Sequence, residues 1–143
     1  VPVIWVQHDD DGLVHGSPDW EYVPELVPAP GEPLVTKHHH SSFEGTELED
    51  LLAGLGATHI VLAGAATNWC IRATAYAALD RGYDLTLVSD AHTTGSGMLE
   101  RGLVLEAECI VEELNIAMTW LSYPGRKNGV ATAEQVEFVS ESL

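Results

Sequence analysis

The 143-residue chain has little positive charge: six Lys and Arg residues stand against 22 Asp and Glu residues, and the formal net charge is −16. A surface this acidic repels phosphate backbones and anionic lipid headgroups, which argues against nucleic acid and membrane surfaces as partners. The sequence also lacks an apolar run near the ~20 residues of a membrane span. The opening stretch, Val1–Val6, has no basic flank of the kind that a signal peptide carries.

Cysteine is scarce as well. Cys70 and Cys109 are far apart, with neither the number of a disulfide framework nor the spacing of a zinc site. This suits a reducing compartment, and we expect a cytoplasmic protein. The length, with 45% hydrophobic residues, is enough for one domain with a substantial core and too short for two.

Short apolar runs alternate with amphipathic segments along the chain. The predicted strands are 1–7, 34–36, 59–64, 84–90 and 130–131, and the predicted helices are 46–55, 68–81, 98–122 and 133–140. Strands that alternate with helices form right-handed βαβ crossovers, so the sequence predicts an α/β fold with a parallel sheet and helices on both faces.

One segment, Gly64–Cys70, carries most of the chemistry that the sequence predicts. It follows the run Ile60–Ala63 and opens an alanine-rich helix, so Cys70 falls in the first helical turn. That turn exposes backbone N–H groups and the positive end of the helix dipole, which favour a thiolate and could hold an oxyanion. Cys70 is therefore a candidate nucleophile, and the alternative is a small residue buried under the turn.

Lys37 is the only Lys or Arg in the first 71 residues. It ends the predicted strand 34–36, and in parallel sheets ligands bind outside the carboxyl ends of the strands. An ammonium beside Cys70 would stabilise a thiolate and could move a proton during acyl transfer. The alternative is a solvated cation that balances one of the many acids.

Three stretches, in this order, resemble the isochorismatase-like cysteine hydrolase superfamily. They are the lysine segment 35–48, the cysteine loop and helix 64–75, and the strand region 82–91. The resemblance implies a Rossmann-like three-layer sandwich, a hydrolase without a cofactor, and a homodimer or larger homo-oligomer. It is greatest for the amidase-like branch, similar to streptothricin hydrolase and the nicotinamidase relatives, which implies a small amide or lactam as substrate.

The triad of this family is Asp, Lys and Cys. The resemblance implies that Cys70 is the nucleophile, that Lys37 assists proton transfer, and that the backbone N–H groups of Ala66 and Cys70 form the oxyanion hole. It also implies a cis peptide bond between Ala65 and Ala66.

No residue of this chain matches the triad aspartate. In the family it lies on a central strand before the one that corresponds to residues 1–7, so we expect the single domain, residues 1–143, to lack its first strand. Asp9, Asp10 or Asp11 could substitute, with no physical reason in the sequence to prefer one. The same departure supports a second hypothesis, a non-catalytic binding or interaction module that keeps the fold.

The metal site of the nicotinamidase branch, an Asp-x-His motif with a further His, is not reproduced by His8–Asp11. The histidines at 38, 39 and 40 cannot all face one ion from an extended segment, because successive side chains point to opposite sides. His38 and His40 together with His8 remain a geometric alternative. We predict no metal.

Two aromatic side chains flank the predicted pocket. Phe43 and Trp69 are candidates for stacking on a flat substrate, with burial in the core as the alternative for each. His8 is a candidate substrate contact. Cys109 lies four residues after Leu105 on a predicted helix and is predicted to be an inert core thiol.

Overall fold

The computed structural model describes residues 1–138. The strands are β1 (Trp5–His8), β2 (Leu34–Lys37), β3 (His59–Ala65), β4 (Asp84–Thr93), β5 (Gly97–Met98), β6 (Val104–Leu105) and β7 (Asn128–Ala131), and the helices are α1 (Leu48–Gly54), α2 (Arg72–Asp80) and α3 (Ala107–Trp120). A π-helical turn, Thr67–Ile71, leads directly into α2. The order of elements confirms the predicted parallel α/β class.

The strands form two parallel ladders and a short hairpin. β1 pairs with β2, with His8 opposite Lys37. β4 lies between β3 and β7 in the second ladder. Helices α1, α2 and α3 connect β2 to β3, β3 to β4, and β4 by way of the hairpin to β7. Because the pairing of β1 with β2 is parallel, His8 and Lys37 lie side by side at the carboxyl ends of these strands. The turn that holds Cys70 follows the carboxyl end of β3.

All three α-helices contribute to one apolar core, which covers Leu85 and Leu87 of β4 completely or almost so. Its helical members are Leu48, Leu52, Ala75, Ala78, Leu79, Leu114 and Met118. Side chains alternate across a strand, so the opposite face of β3 and β4 presents Val61 and Val88, and residues 133–138 lie beside them. Full burial of one leucine contributes about 1.5–3 kcal/mol.

Helices α1 and α2 end as the sequence predicts. Gly56 adopts a φ of 63°, its N–H donates to the Ala53 carbonyl, and the Ala57 N–H donates to the Leu52 carbonyl. These two bonds satisfy carbonyls that the helix end would leave unpaired, and the left-handed φ favours glycine. Gly82 ends α2 with the same pair of bonds.

Thr46 and Glu49, three residues apart before an apolar run, predict a capping box at the start of α1, and the structure differs from it. Thr46 Oγ1 accepts a bond from the Leu48 N–H at 3.3 Å and donates to the Ser42 carbonyl at 2.5 Å. Glu49 does not reach back to the helix start, because its carboxylate accepts a bond from Arg81 Nε at 3.2 Å. The charged guanidinium is a stronger partner than a backbone N–H.

The predicted helix 98–122 is wrong over its first third. β5 and β6 form a hairpin there, and α3 begins only at Ala107. Gly102 and Arg101, both with positive φ, make the turn between the two strands. The buried apolar stripe of α3 starts at Ile110. The leucines before it recur at a spacing that resembles a helix, but the chain turns at Gly102 and they lie in the hairpin.

The predicted helix 133–140 does not form within the described residues. Residues 133–135 make one turn and residues 136–138 are irregular, while 139 and 140 lie outside the described range. None of the helices within residues 1–138 has both the length and the apolar character that crossing a membrane requires.

Candidate active site

Cys70 and Lys37 meet at the carboxyl ends of the strands. Lys37 Nζ lies 3.1 Å from Cys70 Sγ. Lys37 is the last residue of β2, and Cys70 belongs to the π-helical turn that follows β3. The two residues that the sequence singled out, 33 positions apart, are thus in hydrogen-bond contact.

The surroundings of Lys37 are unusual for a lysine. Its side chain is 4% exposed. Besides Cys70 Sγ, its Nζ contacts His8 Nδ1 at 3.1 Å and the His39 carbonyl at 2.9 Å. An ammonium has three N–H donors, and each finds one acceptor here.

No carboxylate within residues 1–138 forms an ion pair with Lys37. A buried charge is costly unless it is paired and hydrogen-bonded. The group nearest the ammonium that can carry a balancing negative charge is the sulfur of Cys70. The arrangement therefore favours an ammonium–thiolate pair.

The backbone before Cys70 has two distinctive features, a cis peptide bond and a carbonyl that accepts two hydrogen bonds. The peptide bond between Ala65 and Ala66 is cis, as the resemblance implied. The Ala66 carbonyl accepts bonds from the N–H groups of Trp69 and Ile71, both at 3.1 Å. The assignment of the Ala66 and Cys70 N–H groups as an oxyanion hole stays a prediction.

A network of buried and half-buried polar side chains, which was not predicted from the sequence, holds the first residue of the π-helical turn. Asn115 Nδ2 donates to the Ser89 carbonyl, so its Oδ1 faces His92 Nε2 at 2.9 Å. His92 Nε2 must then carry the proton, and its Nδ1 accepts the hydroxyl of Thr67 at 2.9 Å. The network connects α3, β4 and the first residue of the π-helical turn.

The lysine segment is held against α2 by a second buried pair. Thr74 Oγ1 accepts the Ser42 N–H at 3.0 Å and lies 2.9 Å from Ser42 Oγ. Both side chains are buried. This contact fixes the chain that follows β2 beside the helix that follows Cys70.

Trp69 lies at the rim of the site. Its side chain is 57% exposed, and its ring stacks with that of His40 at a centroid distance of 5.3 Å. An exposed aromatic pair next to the thiol is available to a flat ligand. The role of Trp69 as a substrate contact stays a prediction.

Phe43 lies elsewhere, which corrects the interpretation of this residue as a stacking surface for substrate. Its side chain is 6% exposed and belongs to the core. The ring stacks on Tyr83 and lies beneath the guanidinium of Arg81, at the end of α2 remote from Cys70. Packing against these groups leaves Phe43 no face for a ligand.

Cys109 is also not where the sequence placed it. It is exposed on the outer face of α3, in a shallow groove with Glu112 and Ile116. The buried stripe of α3 runs through Ile110 and Leu114, one residue out of phase with Cys109. The prediction that Cys109 lies in the core is wrong, and the inertness of its thiol stays a prediction.

The His8 ring contacts Lys37. Its role as a substrate contact stays a prediction.

The adjacent histidines 38–40 are candidate metal ligands by sequence. His38 places Nδ1 2.6 Å from Asp9 Oδ1, and His15 contacts the other oxygen of that carboxylate at 3.1 Å. Across residues 1–138, no group of three or more His, Cys, Asp and Glu side chains is arranged to hold a metal ion.

Known proteins resemble this chain in sequence and in fold. It is 35% identical over 94 residues to the secreted isochorismatase effector Isc1 of Verticillium dahliae, which covers 63% of this chain and 50% of that protein. It is 37% identical over 95 residues to streptothricin hydrolase of Streptomyces noursei, which covers 64% of this chain and 38% of that protein. The chain thus spans half or less of the length of these curated relatives.

The fold is similar to that of the N-carbamoylsarcosine amidase from Thermoplasma acidophilum. The TM-score is 0.72 at 25% identity, over 96% of this chain and 76% of that one. The profile of the isochorismatase domain matches residues 1–107. Three quarters of the chain is covered by that profile, so this protein belongs to the isochorismatase family.

Proposed function

We propose that the protein is a cysteine hydrolase that cleaves a small amide or lactam through a thioester intermediate. The observation that carries the proposal is the 3.1 Å contact between the buried ammonium of Lys37 and the sulfur of Cys70. A thiolate is the nucleophilic form of cysteine, and a cation at this distance stabilises it.

In the first half of the reaction, the Cys70 thiolate attacks the carbonyl carbon of the amide. The C–S bond forms, the C–N bond breaks, and the leaving amine takes a proton from Lys37. The products are a thioester on Cys70, a free amine and a neutral Lys37. In a lactam the amine stays attached to the acyl group.

In the second half, water attacks the thioester. Its hydroxyl joins the acyl group to give a carboxylic acid, the C–S bond breaks, and Lys37 takes the remaining proton. Cys70 returns to the thiolate and Lys37 to the ammonium, so the pair alone balances the protons of one turnover.

The amide class is supported by the name of one similar protein, an N-carbamoylsarcosine amidase, and hydrolysis by the name streptothricin hydrolase. The exposed Trp69 and His40 rings fit a small planar group. The net charge of −16 disfavours a polyanionic substrate.

We propose in addition that a further parallel strand fits between β1 and β3. Within residues 1–138, β1 pairs only with β2, and β3 pairs only with β4. Although β1 and β3 do not pair with each other, His8 at the end of β1 and Cys70 after β3 both contact Lys37 Nζ, so the two strands end close together. The resemblance implies a triad aspartate on such a strand, where its carboxylate would accept protons beside Lys37.

The proposed function is tested by hydrolysis of a panel of small amides and lactams, with mass spectrometry to detect acylated Cys70. The Cys70→Ala variant is expected to abolish turnover, and the matched Cys109→Ala variant to leave it unchanged. Formate should accelerate turnover by this chain if a carboxylate is missing from the site. Turnover that survives in Cys70→Ala would contradict the proposal.

The second candidate is a binding module without turnover. It is favoured by one observation, the lack of a carboxylate on Lys37 within the described residues. A wild-type chain that binds members of the panel but neither acylates Cys70 nor releases product, with or without formate, would establish that candidate.

A further inference from the structure

We infer that His8 and Asp10 are positioning residues, which together aim the Lys37 ammonium at the Cys70 sulfur. The inference deepens the proposed function and rests on it. A continuous series of hydrogen bonds runs from solvent to the thiol. Asp10 Oδ2 lies 2.9 Å from His8 Nε2, His8 Nδ1 lies 3.1 Å from Lys37 Nζ, and Nζ lies 3.1 Å from Sγ.

The proton positions follow from what each group can donate. An ionised carboxylate only accepts, so the proton between Asp10 and His8 belongs to His8 Nε2. In the neutral imidazole the other nitrogen, Nδ1, is then bare and accepts a hydrogen bond from Lys37. The opposite tautomer would place an N–H of His8 against an N–H of the Lys37 ammonium.

This tautomer of His8 determines which hydrogen of the Lys37 ammonium is left to contact the sulfur of Cys70. One ammonium hydrogen goes to His8 Nδ1 and a second goes to the His39 carbonyl. The three hydrogens of an ammonium point in fixed tetrahedral directions, so the third is directed at Cys70 Sγ. Asp10 thus acts on the sulfur through two intermediates without touching it.

The local structure keeps Asp10 ionised and in place. Its other oxygen, Oδ1, accepts the backbone N–H groups of Gly12 and Leu13, both at 2.8 Å. The hydrogen bond from His8, and after it those from Gly12 and Leu13, hold the pKa of the Asp10 carboxyl below its ordinary value. Three hydrogen bonds therefore orient the Asp10 carboxylate toward the imidazole.

Three successive aspartates occupy this loop, and the structure distinguishes among them. Both oxygens of Asp9 are engaged by His38 and His15. Within residues 1–138, Asp11 contacts neither His8 nor Lys37. Asp10 alone of the three faces His8. Which of the three could substitute for the triad aspartate stays open.

Asp10→Asn is a clean probe of this role. The amide oxygen of Asn can still accept the Gly12 and Leu13 N–H groups, so the turn is retained. The amide NH₂ replaces the oxygen that faces His8 and donates to Nε2, which forces the proton onto Nδ1, against Lys37. Asp11→Asn removes the same charge from the same loop without this contact and is the matched control.

Two readouts separate positioning from a general structural effect. The ¹⁵N shifts of the His8 ring, assigned by their loss in His8→Phe, are expected to report a protonated Nε2 in wild type and in Asp11→Asn, and a protonated Nδ1 in Asp10→Asn. Alkylation of Cys70 by iodoacetamide at pH 7 is expected to slow about 10-fold in Asp10→Asn and in His8→Phe, the scale of one hydrogen bond to a charged group. It is expected to stay within about twofold of wild type in Asp11→Asn.

Each of the other outcomes contradicts either the positioning role of His8 and Asp10 or the proposed function. Wild-type alkylation in both Asp10→Asn and His8→Phe, with slow alkylation in Lys37→Met, contradicts the positioning role and leaves the proposed function intact. An unchanged His8 tautomer in Asp10→Asn also contradicts it. Slow alkylation of wild-type Cys70, at a rate that Lys37→Met does not change, contradicts the proposed function itself.

Discussion

The two cysteines of this chain lie in opposite surroundings. Cys70 is half-buried at the carboxyl ends of the strands, with a buried ammonium 3.1 Å from its sulfur. Cys109 is exposed on the outer face of α3, in a groove with Glu108 and Glu112. Access to solvent favours reaction at Cys109, whereas charge favours reaction at Cys70, because carboxylates repel a thiolate and an ammonium attracts it.

The comparison predicts that the more exposed thiol is the less reactive one. Within the described residues, the site end of the molecule has a buried cation with three acceptors, and the outer face of α3 has acids and apolar side chains. If electrostatics governs the chemistry, changes at the site should alter Cys70 and leave Cys109 alone. The predictions below test that separation.

The largest effect is expected from Lys37→Met, which removes the cation and keeps the volume. Alkylation of Cys70 by iodoacetamide at pH 7 should slow about 100-fold, the scale on which a neighbouring charge changes the thiolate population. Cys109 in the same molecule serves as the internal control and should react at its wild-type rate. Equal slowing of both thiols would indicate a global change and would break the comparison.

The two faces of α3 give the next prediction. Asn115→Ala removes the acceptor of the buried His92 Nε2 and should lower the free energy of unfolding by about 1–3 kcal/mol. Ile116→Ala, one residue away on the exposed outer face, should change it by less than about 0.5 kcal/mol. Urea unfolding measures both variants, and similar values would contradict the account of the buried network.

A smaller effect separates the two exposed tryptophans. Trp69→Ala at the rim of the site is expected to raise KM about 10-fold with kcat unchanged, because stacking stabilises ground state and transition state alike. Trp120→Ala, on a side chain that is 80% exposed at the end of α3, should alter neither constant. Steady-state kinetics on the best amide of the panel distinguishes them, and an unchanged KM for Trp69→Ala would remove this residue from the site.

The smallest effect concerns the Arg72–Glu113 ion pair, which connects the start of α2 to α3. The hydrogen bond from Arg72 lowers the pKa of Glu113 below its ordinary value of 4.5. A lowered folded-state pKa gives stability that is present above about pH 4.5 and is lost as the pH falls through the folded value.

Glu113→Gln should therefore cost about 0.2–1 kcal/mol at pH 7, the range for an exposed pair. The cost should disappear in strong acid, where Glu113 is protonated in wild type as well. Thermal unfolding of both proteins across pH 2–7 measures this difference. A gap that stays constant across that range would show that the charge of Glu113 is not its cause.

Much of the site could be predicted from the sequence because it lies at strand ends. Lys37 ends β2 and Cys70 lies in the first helical turn after β3, and in parallel α/β sheets ligands bind at the carboxyl ends of the strands. Strand and helix assignment therefore places both residues at the same edge. Because β2 and β3 belong to different ladders, the 3.1 Å contact itself comes from the structure.

Other features could not be predicted because local patterns are ambiguous. The leucines before α3 recur at helical spacing, yet they belong to the β5–β6 hairpin, since Arg101 and Gly102 adopt positive φ and turn the chain there. A helix predicted to include Leu105 puts Cys109 four residues later on the same face, which indicated a core position. The buried face of α3 contains Ile110 and Leu114, so Cys109 lies on the exposed face.

The contact of Asp10, rather than Asp9 or Asp11, with His8 could not be predicted from a sequence pattern of this kind. The three carboxylates are adjacent and chemically identical, and only the fold of the loop decides which one faces His8. The hydrogen bonds of His92 to Thr67 and Asn115 could not be predicted either, because no motif or strand-end position relates these three side chains. Such contacts depend on tertiary structure alone.

The separation between the two thiols is tested most directly in one tube. Wild-type protein is treated at pH 7 with less than one equivalent of iodoacetamide, and the modified peptides are quantified by mass spectrometry. The account predicts that the half-buried Cys70 is labelled at least about 10-fold faster than the exposed Cys109. Preferential labelling of Cys109, or equal labelling of both, would contradict it.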